Sequence, residues 1–508
     1  MKALTATFVF ALLFLIACQP GKPPAQKQTG ELLARLRCSG CHAFPEPELL
    51  PRPTWEQHVL PRMGYMLGFY SSAQERAALL EQGPAEAYLK AAGVFPEQPQ
   101  MDSTEWLRIQ QFYLENAPDS LRLPVQQPPA ELVQFEPEFP DAFLSPPSTT
   151  YINLYRGGLY LGDAHSKGFY AFNESLEVLQ GAKVKEGAVS MTERPGEMLI
   201  TVMGSFSPTD APSGFLLELP KTAGRQPRVL IDSLQRPVHT AFADLNGDGR
   251  EDAVICEFAK WTGRLAWWEA LPGGGYRPHR LRDEPGATKT AVQDFNGDGL
   301  PDILALMAQG DEGFFLYLNE GNGQFAEAKA YELPPSYGSS TFRLVDYNGD
   351  AYPDIIYTAG DNADYPPVLK PYHGIRILEN DGNNRFSEAF FYPMHGAYDA
   401  IPLDFDQDGD LDIAAISFFP DFARQPEHSF YYLENQGNMQ MRAHTFPQAT
   451  AGRWIVMDHG DLDGDGDEDL ALGALAFEVI PDGGEIDRWV QNGIPFLLLR
   501  NKLVEQQP

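Results

Sequence analysis

The stretch whose residue types most directly imply chemistry is Cys38-Ser39-Gly40-Cys41-His42. On a helical turn, positions i, i+3 and i+4 share one face. Two thiols so placed can add to the two vinyl groups of a haem while the adjacent imidazole reaches its iron. This is the C-x-x-C-H arrangement of covalent c-type haem. A redox dithiol would want a strand–helix–strand setting, and zinc would want a second Cys/His pair; the flanking sequence has neither. The expectation is one covalent haem c on Cys38 and Cys41, with His42 on the iron. The sixth ligand is read as Met63, because Leu60-Pro61-Arg62-Met63-Gly64 should break regular helix and present the thioether from an extended loop. Met66, Met101 and His58 remain alternatives. A His/Met iron is closed and suited to electron transfer, whereas an open iron would suit small-ligand chemistry.

A second chemistry is repeated five times. The nine-residue loops are Asp244-Leu-Asn246-Gly-Asp248-Gly-Arg250-Glu-Asp252, Asp294-Phe-Asn296-Gly-Asp298-Gly-Leu300-Pro-Asp302, Asp346-Tyr-Asn348-Gly-Asp350-Ala-Tyr352-Pro-Asp354, Asp404-Phe-Asp406-Gln-Asp408-Gly-Asp410-Leu-Asp412 and Asp461-Leu-Asp463-Gly-Asp465-Gly-Asp467-Glu-Asp469. Side-chain oxygens at positions 1, 3, 5 and 9, with the backbone carbonyl at 7, can surround a hard cation. Glycines supply the left-handed turns of such a wrap. Up to five Ca2+ ions are expected, the third loop being the weakest because Ala351 replaces a glycine. The ions read as structural, since nothing nearby supplies a nucleophile and base.

The elements that must hold these residues differ in kind. Glu31–Arg37 reads as a helix running into the cysteine motif. Asp102 is a helix N-cap with Glu105 three residues on, Trp106, Ile109 and Tyr113 form an apolar stripe, and Pro118 ends the helix. A haem-bearing N-terminal helix and an aromatic C-terminal one resemble a small class I cytochrome c, over roughly residues 31–118. The acidic loops lie in an all-β setting. Their starts recur every 50 to 58 residues, a spacing expected of propeller blades. An apolar strand leads into each and a buried strand leaves it, as in Ile303–Met307 or Ile413–Ile416. A third strand then ends in a Gly-rich turn and a fourth follows. The pattern resembles the FG-GAP/VCBS repeats of integrin-like β-propellers, from about 230 to 500. Two blades without acidic loops precede them, making seven. The seventh lacks its last strand, which an upstream segment around Leu132–Phe135 is expected to supply, removing an exposed edge.

The fold class is therefore multidomain: a small all-α cytochrome c domain at 31–118, a linker at 119–145, and an all-β seven-bladed propeller at 146–503 with a 504–508 tail. Before them, Lys2 and the apolar run Phe8–Ala17 have a signal-peptide layout. Leu15-Ile16-Ala17-Cys18 resembles a bacterial lipobox, which implies lipidation of Cys18 at the end of segment 1–18, and residues 19–30 form a polar, Pro-rich tether. The implied location is the bacterial cell envelope, lipid-anchored on the periplasmic side or outer-membrane surface. Cys256 lies in the apolar strand Ala253–Phe258 and reads as core. The formal charge of −32, without a Lys/Arg cluster, argues against nucleic acid.

No Gly-x-Ser-x-Gly, P-loop, zincin or nucleotide fingerprint occurs, so the sequence leans away from an enzyme. The leading expectation is extracytoplasmic electron transfer to or from a redox partner protein or small molecule, with the propeller as docking or ligand-binding platform. One alternative is a redox enzyme with its site on the long loops opposite the acidic ones, which carry Tyr372, His373 and His428. Another is a carbohydrate- or protein-binding adhesion-type lipoprotein with an ancillary haem.

Overall fold

The computed structural model describes residues 29–222, 224–363, 367–476 and 483–504. The expected lipidation site Cys18 and most of the tether lie outside them.

Seven sheets succeed one another along the chain; the first five have four antiparallel strands in sequence order, and the last two each add an upstream strand. Blade one is Thr149–Tyr155, Gly158–Asp163, Gly168–Asn173 and Val178–Lys183. Blade two spans Ala188–Arg194 to Arg228–Leu234, blade three Pro237–Ala243 to Tyr276–Arg282, and blade four Ala287–Gln293 to Gln324–Glu332. Blade five spans Ser339–Val345 to Phe386–Pro393, and blade six Ala397–Leu403 to Met441–Thr445. Blade seven holds Trp454–Gly460, Asp469–Ala474 and Phe496–Asn501. Its fourth strand is Phe135–Glu138, antiparallel to Phe496–Asn501 with Phe135 opposite Asn501. The chain is thus a seven-bladed β-propeller closed by an upstream strand. The strand falls slightly later than expected, at 135–138, and Pro137 is tolerated because this is an outermost strand. A second linker pair, Ala130–Glu131, adds in parallel to the edge of blade six.

The strand sequences explain the order. The second strands are continuous apolar runs, and Asp252–Glu257, Asp302–Met307, Asp354–Ala359, Asp412–Ser417 and Asp469–Ala474 are buried at every residue. Both of their faces are covered, by the two flanking blades. Outer strands such as Val178–Lys183 are mostly exposed. Cys256 sits wholly buried among Val254, Leu265 and Trp267, and burial pushes its thiol up to about 12. It is a core residue.

Ahead of the propeller lies a helical unit spanning Gly30–Asn116. Helix Gly30–Cys38 packs on the long helix Ser103–Asn116, whose N-cap Asp102 accepts from Thr104 N. Trp106, Ile109 and Tyr113 are buried, as the stripe implies. Glu105 does not close the capping box; it pairs with Arg37 at 3.1 Å.

Candidate functional site

Cys38 is the last residue of its helix, and the chain then turns, with Cys41 N donating to Cys38 O at 3.3 Å. The motif therefore occupies the turn after the helix instead of lying along it. Cys38 is partly buried against the core of Leu33, Trp55, Trp106 and Tyr113, and Cys41 is exposed. The two thiols are free. Burial pushes the Cys38 thiol up. His42 Nδ1 lies 2.8 Å from the Ala43 carbonyl oxygen. A carbonyl only accepts, so Nδ1 carries the proton and Nε2 keeps its lone pair.

Met63 departs from the expectation. It sits inside the helix Leu60–Met66, not on an extended loop. The helix survives Pro61 because the preceding turn, Trp55–Val59, is widened to i→i+5 bonding, with Leu60 N donating to Trp55 O. That bulge makes room for the proline ring and its missing N–H. Met63 still joins the cluster that Cys38 borders, as does buried Met101. Met66 is partly exposed, and His58 lies within the widened turn.

The acidic loops join the innermost strand to the second in blades three to seven, so all five share one end of the ring. Their positions have distinct jobs. The first Asp accepts backbone N–H groups from its own loop: Asp294 Oδ1 from Gly297 and Asp298, and Oδ2 from Gly299. Asp346 does the same with Gly349, Asp350 and Ala351. Carboxylate oxygens of Asp404, Asp406 and Asp412 lie within 4.8 Å of one another, as do those of Asp461, Asp463 and Asp465. In the first three loops position 3 is Asn246, Asn296 or Asn348. Arginines enter the loops: Arg250 pairs with Asp248, Arg500 reaches Asp463 at 2.6 Å, and Arg156 donates to Gly464 O at 3.1 Å. Ala351 takes φ 72°, the region held by Gly249, Gly299, Gly409 and Gly466 in the other loops.

Position 9 is more than a ligand candidate. Asp252, Asp302, Asp354, Asp412 and Asp469 are at most 1 % exposed. One oxygen of each accepts from the backbone of loop position 2, and the other from the end of the third strand. Burial pushes Asp412 and Asp469 up to about 7. Sequence reasoning missed the partner. In blades four to seven it is an asparagine: Asn319, Asn380, Asn435 and Asn501. Asn319 N donates to Asp302 Oδ1 at 2.7 Å, and Asn319 Nδ2 reaches Pro301 O and, on the previous blade, Leu245 O. Asn501 likewise reaches Phe405 O of blade six. The signal was available, since each Asn closes its third strand shortly before a turn or the chain's end.

The long connections between second and third strands gather at the opposite end of the ring, and there the helical unit docks. Tyr372 Oη donates to Leu49 O at 2.8 Å. Glu81 accepts from Thr209 Oγ1 and from Asp210 N. Phe95 meets Trp261 edge-on with centroids 5.5 Å apart, and Arg62 lies 5.9 Å from the same ring. Asp210 in turn accepts from the backbone of residues 260–262, tying blades two and three beneath the contact. Tyr372, His373 and His428 are buried, and burial lowers both histidines. At Tyr372 and at Thr209 and Asp210, the loops expected to face a ligand thus meet the chain's own helices. In blade seven the connection between second and third strands includes residues 477–482, outside the described set, and the helix Glu485–Asn492.

Residues 294–357, from the second acidic loop into blade five, match the FG-GAP-like repeat. The T-cell immunomodulatory protein homolog of Plasmodium falciparum (isolate 3D7) is 26% identical over 163 residues, 28% of this chain and 22% of that protein. The match thus spans about a fifth of that relative's length. Among solved structures, the N-terminal domain of Nup159 aligns with TM-score 0.43 and 11% identity, over 74% of this chain and 98% of its own. An ancestral GH74 enzyme aligns with TM-score 0.44 and 11% identity, over 69% and 47%. The seven-bladed assignment rests on the strand pairings above. Among the described residues no helix is long and apolar enough to cross a membrane.

Proposed function

We propose that the chain is a monohaem c-type cytochrome of the bacterial cell envelope, tethered through a lipid on Cys18, that transfers electrons while its propeller serves as docking platform. The observation that carries this reading is the Cys38–His42 turn. Both thiols are free, one is exposed, and the His42 hydrogen bond to Ala43 leaves Nε2 as the available lone pair. A metal-bound histidine commonly has its other ring nitrogen held in this way. Cys38 and Cys41 would hold the haem covalently and His42 its iron. Met63 remains the favoured sixth ligand, because it borders the same apolar cluster as Cys38. The haem supplies a one-electron carrier; the chain supplies its attachment, an apolar surround and the choice of axial donors.

The five acidic loops would hold calcium in a structural role. Support comes from the convergence of oxygens in the fourth and fifth loops and from position 9, which links each loop to its blade. The alternative of an enzyme on the long-loop face draws less support, since Tyr372, His373 and His428 are buried and Tyr372 is bonded to Leu49 of the helical unit. The test is expression with c-type haem maturation, followed by denaturing electrophoresis with haem staining. Covalent haem, absent from Cys38→Ala/Cys41→Ala, is the expected result. Stoichiometric zinc, or a Cys38–Cys41 disulfide in place of haem, would refute it.

A further inference from the structure

The innermost strands surround the ring axis, and along part of it lies a pocket of about 340 Å3 that the acidic-loop chemistry does not use. It is lined from blades four to seven by residues that include Lys289, Phe342, Arg343, Ile401 and His459. Val345, Pro402 and His459 close to its rim stand one or two residues before acidic loops, so it opens at that end of the ring. Toward the other end Phe418, Phe419, Ile455 and Leu475 form a buried apolar cluster, with Phe206 and Tyr398 packed on it.

The charges inside are unevenly answered. Arg343 spends Nε and Nη2 on Asp399, at 3.3 and 2.9 Å, and on the Ala400 and Met457 carbonyls. Asp458 turns to blade one, where it accepts from Asn153 Nδ2 and Leu154 N. His239 is half-buried, and desolvation together with the nearby Lys289 holds it neutral. His459 pairs with Glu468 at 2.9 Å. Lys289 has no carboxylate at ion-pair distance among the described residues, although Asp399 and Asp458 act on it from farther away, and it lines this pocket. Its nearest aromatic ring is Phe342, 5.8 Å away. Burial and the nearby Arg343 lower the Lys289 ammonium to about 8. A half-buried cation that lacks a direct ion pair is incompletely compensated, and a bound anion in contact with it would supply one.

We propose that this axial pocket binds a small monocarboxylate, its carboxylate between Lys289 Nζ and the uncommitted Nη1 of Arg343 and its apolar remainder against Phe342 and Ile401. A single negative charge suits the one direct ion pair that Lys289 lacks. A multiply charged anion would meet the Asp399 and Asp458 carboxylates and the acidic rim.

The test is calorimetric titration of the full chain in calcium-containing buffer with acetate, butyrate and benzoate. Benzamide serves as the neutral isostere of benzoate, and inorganic phosphate as the competing anion. At least one monocarboxylate should bind saturably at one site per chain, at least tenfold more tightly than benzamide or phosphate. Lys289→Met should lose at least tenfold of that affinity, and Lys289→Arg should retain most of it. Circular dichroism and unfolding midpoints confirm that both variants fold. The proposal is overturned if none of the three binds, if benzamide or phosphate binds as well, or if Lys289→Met leaves affinity unchanged.

Discussion

At the residue scale, what the sequence disclosed was type and spacing; what it hid was burial. Cys38, Cys41 and His42 are legible because five consecutive residues carry the whole pattern. Met63 was chosen for a loop that Pro61 should have made, yet the widened turn at Trp55–Val59 absorbs the proline and keeps Met63 helical. No pattern marks such a turn. Met63→Ala should leave haem attachment intact but remove the Met–iron charge-transfer absorption; an unchanged spectrum would pass the role to Met66, Met101 or His58. Glu312 is a second hidden residue. It is 1 % exposed and accepts from Ser339 N and Oγ, and burial pushes it up to about 7. Its folded pKa lies above its unfolded value, so its protonated form favours folding. That contribution is complete below about pH 4.5 and is lost as pH rises through 7, about 3 kcal/mol in all. Glu312→Gln should therefore raise the unfolding midpoint relative to wild type at pH 8 and leave it unchanged at pH 4.5. Equal shifts at both pH values would remove burial as the cause.

At the scale of elements, the five loops were legible as repeats, and their position 9 was read as a ligand alone. The buried Asp and the Asn ending the third strand form a clamp whose halves lie 17 residues apart in blade four (302 to 319), too far for a local motif. Asn319→Ala removes side-chain bonds to Pro301 and Leu245 and leaves buried carbonyls unpaired, so it should cost about 2–3 kcal/mol in denaturant unfolding. A cost below about 0.5 kcal/mol would show the clamp to be incidental. Ala351 holds a left-handed conformation that its methyl disfavours. Ala351→Gly should raise the melting temperature, by roughly 0.5–1 kcal/mol of stability, if that strain exceeds glycine's greater entropy in the unfolded chain. A fall would place the balance the other way. The closing strand was anticipated because blade seven was one strand short. Its Phe135 packs edge-on against Phe405 and Tyr432, locking blade six to blade seven. Phe135→Ala should cost about 3–4 kcal/mol.

At the scale of the molecule, blade count and domain order follow from the repeats, whereas the docking of the helices does not. It depends on pairs such as Tyr372 with Leu49 and Phe95 with Trp261, more than 160 residues apart, that no periodicity relates. The helical unit docks at one end of the ring, and the acidic loops and the axial pocket lie at the other. The loops also carry much of the −32 formal charge. Chelation should lower the propeller's melting temperature, and calcium should restore it, by mass action on the folded state. Everything in the electron-transfer reading depends on the turn after the first helix. The most direct measurement is the pyridine haemochrome spectrum of the purified full-length chain, with haem quantified per chain. The account predicts one covalent haem bearing two thioether links, lost when Cys38 and Cys41 are replaced. Haem-free protein from a host that matures other c-type cytochromes would contradict it.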